Sequence, residues 1–233
     1  MSPSYEASSR IIPPDYQERV LGVGSNGGGK SEFFRQLLAA GYPRWFAWDV
    51  KGDFDPLEDH KVMKDPRDGW AWRADRILYR PARQFRTPGW TKFVLARLLD
   101  RAMKAGPRRP SICYLDEAHY ITRHGGRDGM MDLAVVGRSL GLGFWVGSQR
   151  PIWIPVEVRS EAWTWWVFYL AKKQDELEVL SYTKGKLSLE DLEAAWTNFS
   201  FWEIRRGRTS PADLQIIHRP PLVRKPHRGE KVA

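Results

Sequence analysis

Residues 19–31, reading RVLGVGSNGGGKS, constrain this chain more than any other stretch. A short apolar run (Val20, Leu21, Gly22, Val23) meets a glycine-rich turn that closes on Gly29, Lys30 and Ser31. Phe33, Phe34, Leu37 and Leu38 then recur at helical spacing until Gly41. Strand, glycine turn and amphipathic helix, in that order, are the context that makes G-x-x-x-x-G-K-[ST] a P-loop. Gly24, Ser25, Asn26, Gly27, Gly28, Gly29, Lys30 and Ser31 fill it. Glycines let backbone N–H groups close around phosphate oxygens where a side chain would obstruct them. Lys30 is expected to reach the β and γ phosphates of a nucleoside triphosphate, and the Ser31 hydroxyl to sit on Mg²⁺. The phosphates would rest on the N-terminus of the following helix.

A second apolar strand, Ile112-Cys113-Tyr114-Leu115, ends in Asp116-Glu117. In a P-loop enzyme such a strand is expected beside the P-loop strand, with Asp116 in the Mg²⁺ shell and Glu117 polarising the attacking water. Trp45-Phe46-Ala47-Trp48-Asp49-Val50 reads as a strand buried on both faces. Its polar end would place Asp49, Lys51 and Asp53 where ligands gather in doubly wound sheets. Phe144-Trp145-Val146-Gly147-Ser148 is another buried strand, and the amide of Gln149 after it suits sensing a γ phosphate or orienting water. Between the acids and this strand, residues 123–129 read as a basic glycine-rich loop able to move on hydrolysis, followed by a helix from about Met131. That helix turns Leu133, Val136 and Leu140 inward and carries Arg138 near its end. His119 and His124 have no third ligand at zinc spacing and are read as loop residues.

The chain has 233 residues with a formal net charge of +9, which points to an acidic partner, nucleic acid before anionic lipid. Its single cysteine, Cys113, excludes internal disulfides and a cysteine-based zinc site. No run of 18 apolar residues exists and the N-terminus lacks a signal-peptide core, so a soluble intracellular protein without a membrane span is expected. Among the 12 tryptophans, Trp45, Trp48, Trp145, Trp163, Trp165 and Trp166 lie in apolar runs and read as core. Residues 1–18, with Pro13-Pro14, read as an extended arm, 19–210 as one P-loop domain, and 211–233 as a basic tail. Within the domain, 54–75 reads as irregular surface and 76–79 as a short strand. Thr91 reads as the cap of a helix with Val94, Leu95, Leu98, Leu99 and Ala102 on one face and Arg97, Arg101 and Lys104 on the other. Residues 163–170 and 199–204 read as strands, 175–182 and 189–196 as helices, and Arg205, Arg206 and Arg208 as a basic cluster.

Taken together, G-x-x-x-x-G-K-S, D-x-K-G-D, L-D-E-A and G-R-S-L-G-L-G-F-W-V-G-S-Q-R-P resemble the FtsK/HerA superfamily of P-loop ATPases, over residues 19–155. The resemblance implies an α/β, RecA-like fold, with a mainly parallel central sheet flanked by helices. It also implies ATP and Mg²⁺, a homo-oligomeric ring, usually hexameric, and movement of double-stranded DNA. Lys30, Ser31, Asp116, Glu117 and Gln149 fall on the family's functional positions. An arginine from the neighbouring subunit is also implied, with Arg138 as first candidate and Arg150 as second, the latter equally able to anchor its own strand end. The length and the lack of membrane-anchoring or DNA-orienting domains look most like the genome-packaging ATPases of tailless, internal-membrane-containing viruses. Such a protein would act in the host cytoplasm and at the virion's packaging vertex with capsid partners, a cellular one in the cytoplasm. The alternatives are a filamentous-phage export ATPase, a cellular HerA-like translocase, a small-molecule kinase and a non-catalytic nucleotide-gated scaffold. Adjacent Asp116 and Glu117 with Gln149 fit water activation better than phosphoryl transfer to a small acceptor.

Overall fold

The computed structural model describes residues 11–52, 54, 59–196, 200–207 and 213–220. The chain runs through β1 (Arg19–Val23), α1 (Lys30–Gly41), β2 (Trp45–Trp48), β3 (Lys61–Met63), β4 (Arg76–Tyr79), α2 (Pro88–Ala105), β5 (Ser111–Leu115) and α3 (Ala118–Ile121). It continues through α4 (Arg127–Val135), β6 (Leu142–Ser148), α5 (Val156–Glu161), β7 (Thr164–Val167), α6 (Lys173–Tyr182), α7 (Leu189–Trp196), β8 (Phe201–Arg206) and β9 (Leu214–Arg219). Nine strands form one sheet in the order β3-β4-β2-β5-β6-β1-β7-β8-β9. From β3 to β7 all neighbours are parallel, and β8 and β9 add an antiparallel edge. The expected mainly parallel sheet flanked by helices is what forms.

A parallel sheet covered on both faces needs strands apolar on both faces, and these are. On one side Phe33, Phe34, Leu37 and Leu38 of α1 pack on Trp45, Tyr114, Trp145 and Trp166. On the other, Val94, Leu95 and Leu98 of α2 and Leu133 of α4 pack on Phe46, Trp48, Cys113, Phe144 and Trp165. Trp45, Trp48, Trp145, Trp165 and Trp166 are at most 2% exposed, as their runs predict. Trp163 is half-buried and lies under a guanidinium instead. Burial pushes the Cys113 thiol well above its ordinary pKa.

Several expectations give way. The acid-bearing β5 does not adjoin β1, because β6 lies between them and pairs with both. Residues 54–75 include strand β3 and a 3₁₀ turn at Ala71–Arg73 that buries Trp72. Thr91 is buried one turn into α2, which starts at Pro88 with Thr87 in the cap position. Proline is favoured there because its missing N–H is one a helix start leaves unpaired. Arg101 turns inward to donate to the Ala74 carbonyl (2.7 Å) and Lys104 pairs with Asp100, so α2 offers no continuous basic face. The segment expected to be a flexible loop at 123–129 is packed, a kink at His124 and Gly125 running into a helix. A π turn at Thr122–Gly126 links α3 to α4, which begins at Arg127, and Gly126 and Gly129 sit against Ile121 and Leu95 too closely for any Cβ.

The boundaries at 18 and 210 also shift. Tyr16 meets Tyr42 edge-on, and the Tyr42 hydroxyl donates to the Pro14 carbonyl, so the end of the arm packs on the domain. Leu214–Arg219 is a sheet strand and not tail. Residues 1–10, Asp53, Arg208 and 221–233 lie outside the described residues. Among the described residues no helix is long and apolar enough to cross a membrane.

The β8–β9 edge is fixed by a buried ion pair. Arg219 donates to the Glu203 carboxylate from Nε (2.6 Å) and Nη2 (2.5 Å), and Arg205 meets its other oxygen. Glu203 is fully buried and Arg219 is 2% exposed. Removing one member of such a pair strands the other charge in a medium that cannot solvate it. Glu203→Gln is therefore expected to lower unfolding free energy by about 3–5 kcal/mol in denaturant titration. A loss below about 1 kcal/mol would show that the pair is solvated.

Candidate functional site

Parallel strands deliver their carboxyl ends to one edge of the sheet, and at that edge the P-loop is tied down on both sides. Gly24 N–H donates to the Ser148 carbonyl at the end of β6 (3.1 Å), and Ser25 N–H to the Tyr169 carbonyl just past β7 (2.6 Å). The Ser25 hydroxyl also accepts from the Ala171 N–H (3.1 Å). Gly27 and Gly29 adopt φ of 77° and 87°, conformations costly for any residue with a Cβ. They curl the loop so that α1 starts at Lys30 with its free N–H groups facing the loop. Lys30 folds back, its ammonium donating to the carbonyls of Gly24 (2.5 Å) and Ser25 (3.1 Å). Burial lowers its pKa, against the opposing pull of Glu117 and Asp116.

Asp116, one residue past β5, is 1% exposed and faces the Ser31 hydroxyl, which donates at 3.2 Å to one carboxylate oxygen and 3.4 Å to the other. The buried Tyr114 hydroxyl donates to Asp116 Oδ1 (2.8 Å). Burial raises the Asp116 pKa to about 6, aided by the neighbouring Glu117 charge and opposed by Tyr114 and Lys30. A carboxylate held at such cost beside a hydroxyl fits a Mg²⁺ site of one acid, one alcohol and otherwise phosphate and water oxygens. The space for this arrangement comes from two glycines in register on neighbouring strands, Gly22 and Gly147. A Cβ on Gly22 would lie 2.3 Å from the Phe34 ring, and one on Gly147 2.7 Å from the Tyr114 hydroxyl and 3.0 Å from Asp116.

Glu117 has left-handed backbone (φ 52°, ψ 54°), rare for a non-glycine residue and worth about 1–3 kcal/mol of strain. That turn aims its carboxylate toward the end of β6. There Gln149 Nε2 donates to both of its oxygens (3.1 and 3.2 Å), His119 Nδ1 lies 3.0 Å away, and Lys51 Nζ contacts Oε1. Burial pushes the Glu117 pKa up, but these partners outweigh it and hold it at about 2. Ser148 accepts from the Arg150 N–H (3.3 Å) and donates to the Arg150 carbonyl (2.9 Å), which sets the turn that presents Gln149.

Lys30, Ser31, Asp116, Glu117 and Gln149 thus converge, and two residues do not join them. Arg150 pairs with the buried Asp175 (2.8 Å) and lies over Trp153, so it anchors its own strand end, as the second of its two sequence readings holds. Arg138 is exposed at the opposite edge of the sheet, in a 3₁₀ turn before β6, 4.3 Å above the Trp163 ring. Seven residues of strand span about 23 Å, too far for Arg138 to reach its own P-loop. Of the polar group after β2, Lys51 enters the site, Asp49 is structural, and Asp53 lies outside the described residues.

Sequence reasoning missed Tyr114, His119 and an aromatic cleft. Tyr114 could have been found, since it sits two residues before Asp116 on an alternating strand. His119 had no signal, because its approach to Glu117 depends on the left-handed turn. The cleft, about 270 Å³, lies against Asn26, Gly27 and Gly28 and is walled by Tyr169, Trp196 and Ser200. The Tyr169 and Trp196 rings meet edge-on at 5.3 Å.

No protein-family model and no curated protein matches the chain. Solved structures do. The genome packaging NTPase B204 from Sulfolobus turreted icosahedral virus 2, in complex with ATP-gammaS, superposes with a TM-score of 0.64 at 14% identity, over 91% of this chain and 100% of that one. The pCW3 conjugation coupling protein TcpA, in monomer form with ATPgS, gives 0.54 at 16%, over 87% and 60%. EssC (ATPases 2 and 3) from Geobacillus thermodenitrificans gives 0.51 at 17%, over 70% and 34%. At these identities the fold is what is shared, and it is the P-loop NTPase fold that the sequence implies.

Proposed function

We propose that this chain is an ATP-hydrolysing translocase of double-stranded DNA in the FtsK/HerA superfamily, working as a ring of identical subunits to package a viral genome. The observation that carries the reading is the meeting of P-loop, Asp116, Glu117 and Gln149 at one strand-end crevice. The N–H groups at the start of α1 and the Lys30 ammonium receive the triphosphate, and the Tyr169–Trp196 cleft receives its base. Ser31 and Asp116 would hold Mg²⁺, which would supply neutralisation of phosphate charge. Gln149 orients a water, and Glu117 accepts its proton as the water oxygen bonds to the γ phosphorus. The bond from that phosphorus to the β–γ bridging oxygen breaks, and the electron pair leaves on ADP. Arg138, unable to serve its own site, serves that of the next subunit.

The +9 net charge supports the DNA assignment, since cationic surface gains affinity by releasing counterions from the phosphate backbone. Capsid or packaging-vertex proteins, and a location in host cytoplasm and virion, belong to the same reading.

Phosphate release measured with and without double-stranded DNA, at two salt concentrations and across protein concentration, tests it. Stimulation by DNA that rises cooperatively with protein and fades with salt is expected. Hydrolysis indifferent to DNA would remove the translocase assignment while leaving the ATPase.

A further inference from the structure

The site contains two lysines, and the P-loop motif accounts for one. Lys30 lies folded against the carbonyls of Gly24 and Ser25 inside the loop. Lys51 approaches from the other side, over the mouth. Its ammonium contacts Glu117 Oε1 and donates to Asn26 Oδ1 of the P-loop (3.0 Å), while its side chain keeps 36% exposure. Glu117 behind it is 4% exposed at the side chain. The acid that would face water is therefore covered by a cation that a ligand entering from solvent can reach.

Lys51 is placed there by construction. Asp49, 1% exposed, accepts from the N–H groups of Gly52 (2.7 Å) and Phe54 (3.1 Å) and pairs with Arg80 Nε (2.8 Å). Gly52, at φ 86°, supplies the left-handed residue that this turn requires. A turn secured by a buried acid and its arginine partner holds one side chain in place. A triphosphate cradled by the loop and the start of α1 would bring its phosphates past this mouth in turn. The third would point at the crevice where Asn26, Lys51, Glu117 and Gln149 meet.

We propose that Lys51 is a positioning residue that reads the γ phosphate. Without nucleotide it neutralises Glu117 and ties it to the P-loop. A bound triphosphate draws the ammonium onto its terminal oxygens, which separates two anions that would otherwise repel and frees the Glu117 carboxylate for water. A diphosphate leaves the Lys51–Glu117 pair closed. The inference rests on the ATP-binding reading of the site given above.

Calorimetric titration of ADP and of ATPγS, each with Mg²⁺, into wild type, Lys51→Ala and Lys51→Arg tests it. Lys51→Ala is expected to bind ADP within about twofold of wild type and ATPγS about tenfold more weakly, because only the third phosphate loses a charged partner. Lys51→Arg should recover most of the ATPγS affinity, since it keeps the charge. Equal weakening of both nucleotides in Lys51→Ala would assign the residue to loop structure and overturn the proposal, as would an unchanged preference for ATPγS over ADP. Wild type that binds neither nucleotide would instead bring down the underlying reading, and the proposal with it.

Discussion

Glu117→Gln is expected to lower ATP turnover by about 10²–10⁴-fold while the protein stays folded and binds nucleotide. The amide keeps the size of the carboxylate and its carbonyl oxygen can still accept from Gln149, so the fold is expected to persist although the ion pair with Lys51 is lost. What it loses is the capacity to take a proton. Lys30→Ala should also lower turnover, by about 10²–10³-fold for one lost electrostatic contact to the transferring group. It should differ from Glu117→Gln by weakening triphosphate binding as well. Phosphate release, thermal unfolding and nucleotide titration on the same preparations separate the two. Wild-type hydrolysis in both variants would remove the site from the chemistry altogether.

The second large effect concerns Arg138. An arginine contributed by a neighbour is worth about 10³–10⁵ in rate, and Arg138→Ala is expected to lose that much although it touches nothing in its own crevice. Arg138 and Lys30 lie at opposite edges of the same sheet, so in the proposed ring the two defects would fall at different interfaces. Arg138→Ala subunits keep an intact P-loop, and Lys30→Ala subunits keep an intact finger. Each preparation alone should be nearly inactive, and mixing the two should restore hydrolysis where a Lys30→Ala finger meets an Arg138→Ala site. A mixture no more active than the sum of its parts would exclude Arg138 as the finger in trans. Arg150 is the weaker candidate, since freeing it means breaking its pair with the buried Asp175.

The chemistry-bearing parts of this molecule were legible because each is written locally. A P-loop lies within eight consecutive residues, and Asp116-Glu117 and Gln149 each terminate an unmistakably apolar run. Strand positions followed from composition, so the aromatic runs around Trp45, Trp145 and Trp165 became core strands. Sheet order was not legible, because it depends on crossovers between distant segments, and β6 inserts between the two strands expected to be neighbours. The edge strand β9 was hidden in a stretch that reads as basic tail. Its Arg219 is buried only because Glu203, 16 residues earlier, neutralises it. The 123–129 segment misled through its glycines. Gly125 does take a left-handed turn, but Gly126 and Gly129 are there for close packing on Ile121 and Leu95.

The insertion of β6 has a mechanical meaning. One strand, β6, hydrogen-bonded to β5 over its first five residues and to β1 over its last five, leads into Gln149 at the P-loop crevice and begins just after Arg138 at the far rim. In a closed ring each subunit would therefore hold a stiff rod with its sensor at one tip and its trigger for the next chamber at the other. Departure of phosphate at the first tip would be felt as a change in tilt at the second, without any hinge between. Successive chambers would fire in an order set by which way the rods point around the ring, giving the assembly a sense of rotation before any DNA enters it.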